Sequence, residues 1–233
     1  MKLVSQNTIA HNIKSIRAQI KEIAQKYARQ PDSVQLLAVS KTRPIEDIQA
    51  AYAENQHHFG ENYLQDALSK IDNISESSIE WHFIGPIQSN KTRQIAENFN
   101  WVHTIDRFKI AQRLNDQRSP AQTPLNLCIQ VNVSGESSKS GIHFEDTLTL
   151  AKHISLLPNI HLRGLMTIPA ATNDFELQRQ PFRLLRELKD EIQSQGIELD
   201  TLSMGMSNDM EAAIAEGSTI VRIGTAIFGA RKS

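Results

Sequence analysis

The chain has 233 residues, with 25 Lys and Arg against 26 Asp and Glu, and a formal net charge of −1. This balance argues against nucleic acid or an anionic membrane surface as the main partner. No apolar stretch is long enough to span a bilayer, and the N-terminal residues lack the apolar core of a signal peptide. The single cysteine, Cys128, lies in an apolar run and is expected to be a small buried residue. A reducing, cytoplasmic setting is therefore predicted.

The predicted elements alternate between helix and strand. Isoleucines at three- and four-residue steps from Ile9 to Ile23 predict a long amphipathic helix first. Eight short apolar runs then predict strands at 35–40, 57–60, 80–85, 101–105, 125–133, 161–168, 198–204 and 220–223. Helical patterns separate them at 45–54, 63–71, 90–98, 108–115, 145–156, 175–195 and 209–215.

Strict alternation predicts an α/β protein with a parallel sheet and right-handed crossovers. Eight such units, within a length typical of one domain, predict a (β/α)8 TIM barrel that spans residues 1–233, with an extra N-terminal helix and no C-terminal β-domain. A doubly wound open sheet is the alternative, disfavoured because no Gly-x-Gly-x-x-Gly turn follows an early strand. In a barrel, the loops at 134–140 and 168–174 would lie at the carboxyl ends of the strands, where sites are built.

Lys41 follows the first predicted strand, and Pro44 then suits the first turn of a helix. A lysine amine held in a partly desolvated site loses basicity and becomes a nucleophile for carbonyl groups. A strand-end lysine that simply reaches water is the ordinary alternative.

Two loops near the C-terminus suit a phosphate. After the seventh strand, Gly205 permits a positive φ angle, and Ser207 or Asn208 is placed to cap the next helix. Gly224 and Thr225 follow the eighth strand and offer backbone approach and a hydroxyl. The loops after strands seven and eight frequently form a phosphate site in barrels, although an ordinary helix cap also explains the first of them.

Three other polar residues lie at the ends of predicted strands or within them: Asn62, Arg222 and His82. Asn62 is placed either to donate to a ligand or to cap the following helix. Arg222 alternates with Ile223 and points either into the barrel or to the surface. His82 is expected to be a packed, hydrogen-bonded histidine, and the eight histidines show no metal-ligand spacing, so no metal site is expected.

Taken together, these segments resemble the pyridoxal phosphate homeostasis protein family, the single-domain relatives of alanine racemase and of the eukaryotic-type ornithine decarboxylases. The matching stretches span nearly the whole chain without a clear departure from the pattern. They are LAVSK (37–41), FGENY (59–63), WHFIGPIQSNK (81–91), VNV (131–133), KSG (139–141), RGLM (163–166), SMGMSNDM (203–210) and RIGTAIFG (222–229).

The resemblance implies pyridoxal 5′-phosphate (PLP) bound as a Schiff base to Lys41, since imine formation needs a primary amine. It also implies cofactor contacts from six further residues: the phosphate against Ser203, Ser207, Gly224 and Thr225, the pyridine nitrogen facing Arg222, and Asn62 beside the ring. An arginine at that nitrogen is a permanent cation without an acceptor, so it does not stabilise a protonated ring.

A carrier or buffer of PLP, with downstream effects on amino-acid balance, is the preferred interpretation, and no catalytic residue is assigned. The related racemases use a tyrosine from a second domain, whereas Tyr27, Tyr52 and Tyr63 all lie in the first third of this chain. A small PLP-dependent amino-acid racemase or decarboxylase is one alternative. A barrel aldolase that uses Lys41 without PLP is another.

Delivery of the cofactor makes apo-PLP enzymes candidate recipients. It also suggests Lys139, in the loop after the fifth strand, as a temporary acceptor of PLP, although a solvated loop lysine explains it equally simply. The absence of the racemase second domain suggests a monomer.

Overall fold

The computed structural model describes residues 6–136 and 139–230. Strands and helices alternate through this range, after a first helix, α1 (Gln6–Lys26). The strands are β1 (Gln35–Val39), β2 (His58–Glu61), β3 (Glu80–Phe83), β4 (Trp101–Ile105), β5 (Leu125–Asn132), β6 (Ile142–His143), β7 (Ile160–Met166), β8 (Thr201–Ser203) and β9 (Ile220–Ile223). The further helices are α2 (Ile45–Tyr52), α3 (Leu64–Asn73), α4 (Thr92–Asn98), α5 (Phe108–Gln117), α6 (Thr147–Ile154), α7 (Phe175–Ser194), α8 (Met210–Ala215) and α9 (Thr225–Phe228).

The strands close into a parallel barrel. Neighbours follow the order β1, β2, β3, β4, β5, β7, β8, β9, and β9 pairs back onto β1 along four residues. This closure confirms the predicted (β/α)8 barrel and excludes the open sheet, which would leave two edge strands. All eight predicted strands are present, with ends that differ by at most three residues.

Two short elements were not predicted. The two-residue strand β6 pairs with the end of β5, and the four-residue helix α9 follows β9. Both are too short to carry a hydrophobic period, so the sequence pattern contains no signal for them.

The barrel has two apolar cores. The larger one lies between the strands and the surrounding helices. A smaller one fills the barrel interior and consists of Leu37, Trp101, Cys128, Met166 and Ile220. Cys128 is fully buried there, as predicted, and burial raises the pKa of its thiol to about 12.

Helix α1 completes the outer ring of helices. It contacts α2, α8 and α9, and its buried face is formed by Ile9, Ile13, Ile16 and Ile20. Within the described residues, the short α9 follows β9, and α1, packed against α8, α9 and α2, takes the place of an eighth barrel helix. Among the described helices, none combines the length and apolarity needed to cross a membrane.

Candidate functional site

A cavity of about 550 Å³ opens at the carboxyl ends of the strands. Six of the seven predicted site residues line it: Lys41, Asn62, Ser207, Arg222, Gly224 and Thr225. The apolar part of the wall is formed by Val39, Ile84, Met166, Ile168, Met206 and Ala226. With Asn208, which also lines it, the cavity thus combines an amine, a guanidinium, two amides and two hydroxyls with a largely apolar surface, as small-molecule sites commonly do.

Lys41 lies just beyond β1, half-buried at the cavity wall. The residue before it is held by two side chains: Ser40 Oγ donates to Glu61 Oε1 at 2.6 Å, and Lys70 Nζ donates to the Ser40 carbonyl at 2.9 Å. The residue after it, Thr42, has a φ angle of 64° and donates its backbone N–H to Asp66 Oδ2 at 3.1 Å. The backbone of Lys41 is therefore fixed from both sides.

A buried ion pair underlies these contacts. Lys70 Nζ donates to Glu61 Oε1 and to Asp66 Oδ2, both at 2.8 Å, and with the Ser40 carbonyl all three of its N–H groups are used. Burial raises the pKa of Glu61, although Lys70 opposes the rise. Lys70 was not predicted from the sequence as part of the site. Its position three residues after Ala67, on the buried face of α3, could have indicated a buried lysine.

Arg222 points into the barrel, which is one of the two orientations predicted for it. It is 5% exposed. Its Nη1 donates to the carbonyl and Oγ of Ser203 at 2.6 and 2.9 Å, and its Nη2 donates to the Thr167 carbonyl at 2.9 Å. Burial lowers the pKa of Arg222 to about 10, so it stays cationic at neutral pH.

Ser203 lies beneath Arg222 and not among the residues that line the cavity. It is fully buried at the end of β8, and its Oγ accepts from Arg222 and is 2.8 Å from His103 Nδ1. In this structure Ser203 thus supports the guanidinium, and its contact with a phosphate stays a prediction.

Three histidines continue this hydrogen-bonded chain through the barrel. His103 Nε2 is 2.9 Å from His82 Nδ1, and His82 Nε2 is 3.2 Å from His58 Nδ1. Burial lowers the pKa of His103 to about 3 and that of His82 well below its ordinary value, so both rings are neutral. The prediction that His82 is packed and hydrogen-bonded is confirmed.

Asn62 does not cap a helix. Helix α3 begins two residues later, at Leu64, and makes no side-chain cap bond. The Oδ1 atom of Asn62 is buried and has no hydrogen-bond partner among the described residues. A Cβ on Gly85 would lie 2.1 Å from the Asn62 carbonyl oxygen, so only glycine permits this approach of the loop after β3. The predicted ligand contact of Asn62 stays a prediction.

The predicted cap by Ser207 or Asn208 is wrong. Helix α8 begins at Met210, and the turn before it is closed by Asp209 Oδ1, which accepts from the Met206 N–H at 2.6 Å. Ser207 is therefore an exposed cavity residue whose hydroxyl is not used as a cap. Gly205 has the positive φ angle that was predicted, 97°.

Gly224 provides the second close approach. A Cβ at this position would lie 3.1 Å from the carbonyl oxygen of Val39, the last residue of β1, which precedes Lys41 by two residues. Thr225 begins α9, so its N–H is among those that a first helical turn leaves unpaired within the helix. Gly224, Thr225 and Ala226 line the same cavity as Lys41.

Known proteins resemble the chain along its whole length. A family model described as the N-terminal domain of alanine racemase matches residues 5–232. The pyridoxal phosphate homeostasis protein of Vibrio alginolyticus is 58% identical over 229 residues, which are 97% of this chain and 98% of that protein. The protein of the same name from Pseudomonas aeruginosa is 56% identical over 225 residues, 97% of this chain and 96% of the relative.

A solved structure also matches. PipY of Synechococcus elongatus, determined with PLP bound, is 35% identical, with a TM-score of 0.83 over 95% of this chain and 100% of that one. The motifs, the barrel and relatives that are more than half identical along nearly the full length agree, and this chain therefore belongs to the pyridoxal phosphate homeostasis protein family.

Proposed function

We propose that this protein binds PLP, holds it through a Schiff base on Lys41, and acts in PLP homeostasis by buffering or delivering the cofactor. Downstream effects on amino-acid balance follow from that role. The observation that carries the proposal is the cavity, whose lining includes Lys41, Arg222, Ser207 and Thr225. The names of the relatives and the PLP in the PipY structure support it.

The residues present fit this cofactor. An aldehyde needs an amine, which Lys41 supplies, and a phosphate needs hydroxyl and amide donors, which lie in the segments of Ser207, Gly224 and Thr225. Asn62 also lines the cavity, and its Oδ1 is buried without a hydrogen-bond donor among the described residues. When bound, PLP supplies a reactive aldehyde and a sink for electrons.

The surroundings of Arg222 favour storage over turnover. Its guanidinium is a fixed cation that donates to Ser203 and Thr167 and has no acceptor. A ring nitrogen beside it stays unprotonated, which weakens the electron sink that racemisation and decarboxylation require.

Tyrosine does not contribute to the cavity within the described residues. Tyr27 OH bonds to Glu211 Oε1, Tyr52 OH bonds to Ser78 Oγ, and Tyr63 is exposed.

Borohydride reduction followed by peptide mapping tests the attachment. We expect PLP to give a visible absorption band and, after reduction, a phosphopyridoxyl mass on the peptide that contains Lys41. Lys41→Ala should lose both signals, whereas Lys91→Ala, which removes a half-buried lysine outside the cavity lining, should keep them. Labelling of another lysine would refute the assignment to Lys41, and a protein that stays colourless with PLP would refute PLP binding altogether.

We propose further that the protein delivers PLP to apo-PLP enzymes. We infer that Lys139 serves as a temporary acceptor, because its loop follows the carboxyl end of β5, near the barrel mouth, and an imine can be exchanged between amines. An unchanged rate of PLP transfer to an apo-enzyme in Lys139→Ala would refute this role. The cytoplasmic setting and the monomeric state stay predictions, and light scattering on the purified protein tests the latter.

A further inference from the structure

Three side chains with metal-binding atoms meet at the end of the barrel opposite the cavity. His58 is the first residue of β2 and Glu80 the first of β3, and the register pairs them directly. His82 lies two residues after Glu80, so both side chains are on the same face of β3. That face is the inner one, because His82 is fully buried and bonds to His103 of the adjacent β4, which in turn bonds across the barrel interior to Ser203 of β8.

The ligand atoms are already at coordinating distances. His58 Nδ1, Glu80 Oε2 and His82 Nε2 all lie within 4.8 Å of one another. His58 Nδ1 is 3.2 Å from His82 Nε2 and 3.5 Å from Glu80 Oε2. Tetrahedral Zn²⁺ holds its nitrogen and oxygen ligands at about 2.0–2.2 Å, which places them roughly 3.3 Å from each other. These atoms therefore need little movement to share one ion.

The chemistry of the three groups selects the class of metal. Two imidazoles and one carboxylate are a ligand set that Zn²⁺ takes and that Ca²⁺ and Mg²⁺, which prefer oxygen, do not. The side chains of His58 and Glu80 are 29% and 46% exposed, so an ion enters from solvent and keeps water as its fourth ligand.

Hydrogen bonds from neighbouring residues orient His82 and Glu80 in a way that is compatible with a bound ion. An ion on His82 Nε2 places the ring proton on Nδ1, which then donates to His103 Nε2 at 2.9 Å. His103 in turn donates from Nδ1 to Ser203 Oγ at 2.8 Å. Glu80 Oε2 accepts from Trp101 Nε1 at 3.1 Å, and the Trp101 ring stacks on His82 with centroids 5.3 Å apart. Glu80 and His82 thus have the kind of support that orients known metal ligands.

We propose that His58, Glu80 and His82 form a binding site for a divalent metal ion of the Zn²⁺ class at the amino-terminal mouth of the barrel. Sequence spacing did not indicate it, because the two histidines are on different strands and meet only through the pairing of β2 with β3. The site is separate from Lys41, so it does not depend on the proposed cofactor.

Titration of the chelator-treated, full-length protein with ZnCl₂ tests the site, with bound zinc measured by elemental analysis after equilibrium dialysis. We expect one equivalent of Zn²⁺ and a change in tryptophan fluorescence, since Trp101 contacts both Glu80 and His82. His58→Ala and Glu80→Gln should each weaken binding at least about tenfold. Glu80→Gln keeps an acceptor for Trp101, so it separates ligand loss from loss of folding.

His57→Ala is the matched control. His57 adjoins His58 but bonds to Ser78 and packs on Tyr52, so its removal should leave zinc affinity and the fluorescence change intact. Lys41→Ala should also bind zinc normally. Absence of zinc binding at about 100 μM free ion, or equal affinity in His58→Ala and the unaltered protein, would overturn the proposal.

Discussion

The backbone around Lys41 is rigid because charged side chains hold both of its neighbours. Ser40 is bonded to Glu61 and Lys70, and Thr42 to Asp66. Lys70 joins these contacts, since it donates to Ser40, Glu61 and Asp66 at once. A fixed backbone reduces the backbone entropy that would be lost when Lys41 forms the proposed covalent link.

Lys70→Met is expected to destabilise the protein by about 3–5 kcal/mol, because it leaves the Glu61 carboxyl buried without its cation. It should also weaken PLP binding by freeing the Ser40 carbonyl. Urea unfolding and absorbance titration measure the two effects. Lys109→Met, which replaces an exposed lysine on α5, is the control and should change neither.

A double substitution sharpens this test. Lys70→Met combined with Glu61→Gln removes both charges, so it should be more stable than Lys70→Met alone, with a coupling energy of about 1–3 kcal/mol. Strictly additive effects would show that the two side chains do not act as a pair.

At the scale of elements, a single carboxylate ties α7 to the end of α8. Glu216 follows α8 directly, and its side chain is 1% exposed. Its two oxygens accept from Arg179, Arg183 and Arg186 of α7, at 2.7, 3.2 and 2.8 Å. Burial alone would raise the pKa of Glu216, but the hydrogen bonds from Arg183 and Arg179 outweigh it and hold the pKa below its ordinary value.

Glu216→Gln should lower the free energy of unfolding at pH 7 by about 1–2 kcal/mol, a modest loss because the three arginines are partly exposed. A carboxyl whose folded-state pKa is depressed stabilises the fold above its unfolded pKa of about 4.3, and this contribution is lost as the pH falls through the folded-state value. The difference between the two proteins should therefore shrink below about pH 4.

Urea unfolding at several pH values between 7 and 3 measures this dependence. Glu211→Gln, within α8, removes a partly exposed carboxylate that bonds to Lys26 and Tyr27, and should cost less than about 1 kcal/mol. A penalty for Glu216→Gln that stays constant with pH would contradict the ionic origin of the contact.

For the whole molecule, the outer ring is closed by the first helix of the chain. Helix α1 precedes every strand, yet it packs against α8 and α9 from the other end of the described chain as well as against α2. Asn12 Nδ2 adds a hydrogen bond of 2.8 Å to the Ile227 carbonyl in α9. The fold is therefore completed by a contact between residues more than 200 positions apart in the sequence.

Ile13→Ala should destabilise the protein by about 2–5 kcal/mol, because Ile13 is fully buried between α1 and the barrel. Ser15→Ala, two residues away on the exposed face of α1, should stay within about 0.5 kcal/mol. Urea unfolding compares the two. Equal stability of both variants would show that α1 is not part of the cooperative core.

Much of the candidate site was predictable from sequence, because its residues lie in contiguous motifs at strand ends. Lys41, Asn62, Arg222 and Gly224 each follow or close an apolar run, and closure of the barrel brings such ends together. The Glu61–Lys70 pair and the His58–Glu80–His82 cluster were not predictable in this way. Each depends on which side chains face one another across elements, and this is set by strand register and helix packing.

The fold, too, has features that the sequence predicts and features that only the tertiary structure decides. Alternating apolar runs and amphipathic periods are local properties, and they determined the eight strands, the helices between them and hence the parallel barrel. The tertiary structure alone decided that α1 fills the eighth helical position, that Ser203 lies beneath Arg222, and that Ser207 caps no helix. These outcomes depend on long-range packing and on the competition between hydrogen-bond partners, which one stretch of sequence does not contain.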